Sequence, residues 1–198
     1  MEKLDKCRIC RRAGEKLFLK GDKCNLPSCP VTKRPYPPGQ TGVKGKMKKT
    51  SDYAKQLLEK QKGRAIYGLT EKQMANYFDQ ARKKRHSTGS ELINLLESRV
   101  DNVLYRASLA SSRNEARQMV VHSNVKVNSR KIKSPSIQLK VGDKVEVDKK
   151  LVKEVKREVA PWINIDKGSN VLEIINKPDV EAVTSSINIQ LIIEFYSR

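Results

Sequence analysis

Apolar positions recur at intervals of three and four through the middle of the chain, then at every second residue. Leu57 and Leu58 mark the inner face of a first helix, capped by Ser51 or Asp52 and predicted to run to about Lys62. Met74, Tyr77, Phe78 and Ala81 make a second stripe, opened by a capping box of Thr70 and Gln73. Arg82, Lys83, Lys84 and Arg85 crowd into a predicted loop. Thr88 and Glu91 form another box, before a helix bearing Leu92, Leu95, Leu96, Val100, Val103 and Leu104. Ser112 with Glu115 starts a short helix to about His122, whose place at the C-terminal pole suits a cation. It turns Ala116, Met119 and Val120 inward and leaves Arg113, Arg117 and Gln118 outside. From Val125 the period is two: Val125 and Val127 in, Lys126 and Asn128 out. Turns at Ser129–Lys131 and Gly142-Asp143 precede Val145 and Val147. Trp162 reads as a core anchor where the chain returns to the first lobe. The tail Ile187, Ile189, Leu191, Ile193, Phe195 alternates as a half-buried strand. The pattern predicts an α+β protein: a mostly helical lobe, and two helices against a small, strongly curved sheet.

Ahead of the helices stand all four cysteines: Cys7, Cys10, Cys24 and Cys29. A C-x2-C pair and a C-x4-C pair form two knuckles that can close a thiolate tetrahedron around zinc. Lys6, Arg8, Arg11 and Arg12 are expected to favour the thiolate. Four ligands leave no open position, so the site is structural; an iron–sulfur cluster also takes four cysteines and stays open as the alternative. Next comes Pro35-Tyr-Pro-Pro-Gly-Gln-Thr-Gly42, too rich in Pro and Gly for regular structure, and then Lys44, Lys46, Lys48 and Lys49. In so basic a chain this stretch reads as an extended loop lying on phosphates.

Charge narrows the function. The chain of 198 residues carries 41 Lys and Arg against 22 Asp and Glu, a net of +19, with a pI near 9.9. Such an excess favours a polyanion, because each phosphate neutralised releases condensed counterions. It is uneven: net +15 over residues 1–90, +6 over 91–158 and −2 over 159–198. The partner is therefore expected mainly against the first half and part of the middle. No stretch approaches the roughly 20 apolar residues of a membrane span, and the charged start lacks a secretory apolar region. A cytoplasmic protein with reduced thiols and no membrane partner is expected.

The stretch ESRVDNVLYRASLASSRNEARQMVVHSNVKVNSRKIKSPSIQLKVGDKVEV resembles the S4-type RNA-binding module, an αL-like motif of two short helices and a small sheet. The flanks extend the likeness. CRICRRAGEKLFLKGDKC, RPYPPGQTG, SDYAKQLLEKQKGRAIYG, TGSELINLLESR and the ending IIEFYSR resemble the bacterial, four-cysteine form of the ribosomal protein S4 family. That likeness implies segments at 1–45 (metal-binding start and basic loop), 46–96 (helical lobe), 97–158 (RNA-binding module) and 159–198 (a β tail packing back on the helical lobe). It implies early binding to a multi-helix junction in the 5′ domain of small-subunit rRNA. It also implies a place beside neighbouring small-subunit proteins at the mRNA entrance, contact with mRNA through Lys44, Lys46, Lys48 and Lys49, and influence on decoding accuracy. Candidate RNA contacts are Arg99, Arg106, Arg113, Arg117, Lys126, Arg130 and Lys131 from the module. Tyr53, Lys55, Lys60, Lys62, Arg64 and Tyr67 are those of the other lobe, Tyr67 being either a stacking or a packing aromatic. The family pattern has glycines where this chain has Ser123 and Ser129, and Asn124 is expected to take the left-handed backbone in place of the first.

Two rival classes fit less well. Asp101 could be imagined as the nucleophile of a pseudouridine synthase, but residues 97–147 are used by the module and no catalytic domain of adequate size remains. No Gly-rich phosphate loop, nucleophile elbow or open metal site is present, so no small-molecule substrate is expected. A sequence-specific zinc DNA-binding protein needs a recognition helix beside the metal, where this chain has a Pro-rich loop.

Overall fold

The computed structural model describes residues 5–39, 50–84, 87–148, 157–166, 170–178 and 187–198. The first lobe is helical. α1 (Lys6–Ala13), a 3-10 turn (Gly21–Cys24) and the single turn α2 (Pro30–Lys33) precede α3 (Asp52–Tyr67), α4 (Glu71–Lys83) and α5 (Thr88–Glu97). Ser51 caps α3 by accepting from the Ala54 N–H. The helix outruns its predicted end at Lys62 because nothing breaks it before Gly68, which ends it at φ +63°. Its buried face is also rotated: Leu57 and Leu58 are half-buried, while Gln56, Lys60, Gly63, Ile66 and Tyr67 are buried. The Thr70–Gln73 box forms in both directions. The Thr88–Glu91 box does not; Ser87 is the cap position, and the Glu91 carboxylate pairs with Lys84. Arg82 and Lys83, expected in a loop, belong to the last turn of α4, where cations suit the helix pole.

The helical stripe from Leu92 to Leu104 is two helices. Between α5 and α6 (Val100–Arg106), Arg99 turns to an extended backbone. The Val100 N–H donates to the Ile137 carbonyl at 2.9 Å, and Leu139 donates back to Ser98 at 2.8 Å. α7 (Arg113–Val121) follows, its first turn closed by Ser112 Oγ, with His122 at the C-cap.

A five-stranded antiparallel sheet completes the module, in the order β2-β1-β3-β5-β4. Its strands are β1 (Val125–Val127), β2 (Arg130–Lys131), β3 (Lys144–Val147), β4 (Ile163–Asp166) and β5 (Val171–Ile174). Val125 faces Val147, and Val145 lies between Val127 and Leu172. These inward residues bury against Val103, Leu104, Ala116 and Val120. Removing such apolar surface from water, about 25 cal/mol per Å2, is what holds the layers together.

The C-terminal region differs from expectation twice. Residues 159–166 and 170–175 do not return to the helical lobe: Trp162, Ile163 and Leu172 sit in the module core, and β4 and β5 extend its sheet. The tail is not a strand but a helix, α8 (Ile189–Tyr196). Asn188 caps it by accepting from Leu191. Ile189, Ile192, Ile193 and Tyr196 make a helical stripe packed on the first lobe's core. Gly63 permits this approach, since a Cβ there would lie 3.3 Å from Ile192 Cδ1.

The two lobes touch where the chain starts. Asn114 donates to the Leu19 carbonyl at 3.2 Å. Gly21 (φ +64°) packs so tightly on Ser111 that a Cβ would lie 2.9 Å from its carbonyl oxygen.

Ser123 itself adopts the left-handed backbone, at φ +62°, so the expectation that Asn124 would take it is corrected. Asn128 and Ser129, at φ +47° and +66°, form the two-residue turn between β1 and β2. Such turns suit Asn-Gly, because both positions need positive φ. Relieving Cβ strain of about 1–2 kcal/mol, Ser129→Gly is expected to stabilise the protein by about 1 kcal/mol, less glycine's entropic cost. Urea unfolding midpoints of the two proteins check this.

Candidate RNA-binding surface and cysteine site

The cations of the module divide into an inner and an outer set. At the end of α5, Glu97 is fully buried and gathers donors from both lobes. Tyr67 O–H donates to it at 2.6 Å, Asn102 Nδ2 at 2.7 Å, and Arg106 binds it with both Nε (2.9 Å) and Nη2 (3.0 Å). Arg113 Nη2 stands 4.0 Å away, donates through Nε to Asn102, and lies over the Tyr105 ring at 4.2 Å. Burial pushes the Glu97 carboxyl up, but the hydrogen bonds and charge of Arg106, with Arg113 and Tyr67, more than offset it; the group sits below the ordinary carboxylate value. Burial and the adjacent carboxylate hold the Tyr67 phenol well above its ordinary value.

Arg99 is enclosed. It forms a two-pronged pair with Asp101 (3.0 and 2.6 Å) and donates to Tyr77 Oη at 2.9 Å. One candidate contact is therefore corrected: Arg99 is enclosed in an ion pair, whereas Arg106 and Arg113, both partly exposed, also bind Glu97 and Asn102. Asp101, the imagined nucleophile, is closed off by Arg99, with Arg117 Nη1 3.7 Å away. Sequence reasoning missed Glu97, Asn102 and Arg157; the last donates to the carbonyls of Tyr105 and Ser111 and lies 4.0 Å over the Tyr105 ring.

The outer set faces solvent. Arg117 is partly exposed on α7, and Lys126, Arg130 and Lys131 are exposed on β1 and β2. Lys126 has Glu146 opposite it at 3.6 Å, a pair that water screens. Arg130 and Lys131 make no ion pair among the described residues, nor do the exposed Lys133, Lys140 and Lys144.

In the first lobe the candidates split likewise. Tyr53 and Lys55 are exposed, Lys55 being paired with Asp52. Lys60 is buried between Glu71 (2.8 Å) and the Phe195 ring (4.3 Å). Lys62 is held by Glu15 at 2.5 Å and Glu59 at 3.3 Å, and Arg64 by Glu71 at 2.8 Å. Tyr67 is a packing residue, not a stacking one. Lys60, Lys62 and Tyr67 thus act in folding, and Lys44, Lys46, Lys48 and Lys49 lie outside the described residues.

Of the four cysteines, Cys10, Cys24 and Cys29 are buried and Cys7 is partly so; none forms a disulfide. Burial pushes the Cys10 thiol up, and the charges of Cys24, Cys7 and Cys29 add to it, so the neighbouring cations do not prevail there. The Lys20 amide donates to Cys24 Sγ at 3.4 Å, and its ammonium is held above the ordinary lysine value by a hydrogen bond to Cys7 and that group's charge. The donor chemistry fits a thiolate metal site. Among the described residues, however, no three Cys, His, Asp or Glu side chains are gathered into a metal-holding group.

A helical lobe joined to a module of two helices on an antiparallel sheet, with cations left outward on the sheet edge, defines an RNA-binding protein of the S4-domain class. The chain matches the ribosomal protein S4/S9 N-terminal domain over residues 3–97 and the S4 domain over residues 98–145, so the break between α5 and α6 is where the two descriptions meet. It is 45% identical to the small ribosomal subunit protein uS4 of Thermus thermophilus, covering 97% of this chain and 96% of that one. The Oleidesulfovibrio alaskensis protein of the same name is 47% identical, over 98% and 97%. The chain belongs to the ribosomal protein S4 family.

Proposed function

We propose that this protein is a structural, non-enzymatic constituent of the small ribosomal subunit in the cytoplasm, where it binds rRNA. The observation that carries the reading is similarity to small ribosomal subunit proteins along nearly the whole chain. The outward Arg117, Arg130 and Lys131 support it physically. A folded RNA offers them phosphates at fixed spacing, and recognition rests on shape more than on base edges.

The finer role follows the family likeness. The protein binds early to a helix junction in the 5′ domain of the rRNA and lies beside neighbouring small-subunit proteins at the mRNA entrance, where it influences accuracy. The basic run Lys44–Lys49 is the segment assigned there to mRNA. We further propose that Cys7, Cys10, Cys24 and Cys29 hold a structural zinc ion. Two close pairs of thiols in one short segment, and an amide hydrogen bond to one sulfur, support this.

A salt titration tests the RNA-binding face. The double variant Arg130→Gln/Lys131→Gln is expected to flatten the dependence of log affinity on log salt by about 1.5, at roughly 0.7–0.9 for each phosphate no longer neutralised. An unchanged slope in filter binding to small-subunit rRNA would remove these two residues from the interface.

A further inference from the structure

Between α1 and α3, away from the module's cations, lies a cavity of about 320 Å3. Its size is at the small end of ligand-binding clefts, roughly 300–1,000 Å3. Ile9 and Ala13 of α1 and Leu58 and Ala65 of α3 make aliphatic walls. Arg8 and Arg12 also line it; they stand four residues apart, hence on one face of α1, and are exposed.

The neighbouring cations are already engaged. Lys62 and Arg64 are held by Glu15, Glu59 and Glu71. Arg11 donates to the Tyr36 carbonyl at 3.0 Å and lies 4.9 Å over its ring, which fixes the segment that brings Pro38 to the cavity wall. Arg8 and Arg12 make no ion pair among the described residues. Two exposed guanidinium groups thus border an apolar slot.

We propose that this slot receives an unstacked nucleobase of RNA while Arg8 and Arg12 bind the flanking phosphates. The proposal rests on the RNA-binding reading above and names what one part of that surface takes. A looped-out nucleotide has flat, weakly hydrated faces between two anionic groups, which is the complement of this slot. Proteins read RNA chiefly by splaying out such bases. Gln61, also in the lining, offers a donor and an acceptor to a base edge. The chain's own segment 40–49 is a poorer occupant, for it carries Lys44, Lys46, Lys48, Lys49 and no acid. An acidic peptide could match two arginines, but the surrounding net of +15 over residues 1–90 is better met by a continuous phosphate chain.

The test is base-specific chemical probing of full-length bacterial small-subunit rRNA bound to the full-length protein and to two variants. Ala65→Phe fills the slot and keeps every charge, with Ala13→Phe as the second filling variant should the first melt early. Arg8→Gln/Arg12→Gln keeps the slot and removes the cations. One or two bases protected by the parent protein are expected to regain reactivity with the filled variant while the other protections persist. Affinity is expected to fall about ten-fold, the scale of one stacked base, with the salt slope unchanged. The arginine variant is expected to lower that slope by about 1.5. An identical base pattern and affinity for a folded Ala65→Phe protein overturns the proposal. So does cross-linking of the slot to a protein in assembled subunits with no change at any base. Absence of compact protection by the parent protein defeats the small-subunit rRNA reading itself, and this inference with it.

Discussion

Replacing Glu97 with alanine is expected to destabilise the protein by about 3–5 kcal/mol, the usual cost of removing one partner from a buried ionic network. The carboxylate accepts from Tyr67, Asn102 and both prongs of Arg106, and among the described residues none of these has another carboxylate within hydrogen-bond reach. Glu97→Gln keeps the shape and one acceptor, so a smaller loss is expected. The pair of variants also separates charge from packing through pH. Glu97 in the folded protein lies below its ordinary value of 4.5, so the unfolded state takes up the proton more readily. Its contribution is therefore complete above about pH 4.5 and is lost as the pH falls through the folded value. Urea unfolding from pH 7 to pH 3 is expected to show a shallower acid loss for Glu97→Gln than for the parent protein. Equal acid slopes would mean that the network is held by packing alone. Because Tyr67 comes from α3 and the other donors from beyond the α5–α6 break, the same variant is expected to loosen one lobe from the other.

Metal removal is the second large effect. If the four cysteines hold zinc, chelation or Cys24→Ser is expected to expose the amides of residues 5–39 to hydrogen exchange, while α3, α4 and α5 stay protected. Structural zinc contributes about 10–16 kcal/mol to folding in small finger peptides. Here part of the segment is also anchored by Leu17 and Leu19 in the first lobe's core, so the loss is local and not global. Since Asn114 and Ser111 of the module contact Leu19 and Gly21, faster exchange is also expected at the start of α7. Identical exchange with and without chelator would contradict the metal assignment.

How far the sequence foretold this depends on the range of the interactions involved. Most local signals read well: Ser51, Thr70 and Ser112 cap as their spacing suggests, whereas at Thr88 the cap position falls one residue earlier, on Ser87. The tail was ambiguous in principle. Ile187, Ile189, Leu191, Ile193 and Phe195 alternate, yet Ile189, Ile192, Ile193 and Tyr196 also fit a helix, and short apolar runs satisfy both periods. Packing of Ile192 against Gly63, 129 positions earlier, decides it. The cationic site was half legible. Charge marks Arg99 and Arg106 as readily as Arg130, but only the break after Glu97 folds α6 back so that Arg106 reaches that carboxylate. Which cations are left for a ligand is thus a property of the fold.

Small-subunit rRNA is the partner we propose for the surplus cations. Chemical footprinting on full-length small-subunit rRNA, at physiological salt and with excess tRNA as competitor, tests it most directly. A compact set of protections in the 5′ domain that survives the competitor is the predicted result. Diffuse protection abolished by tRNA would contradict it and leave a general RNA-binding protein with its target elsewhere.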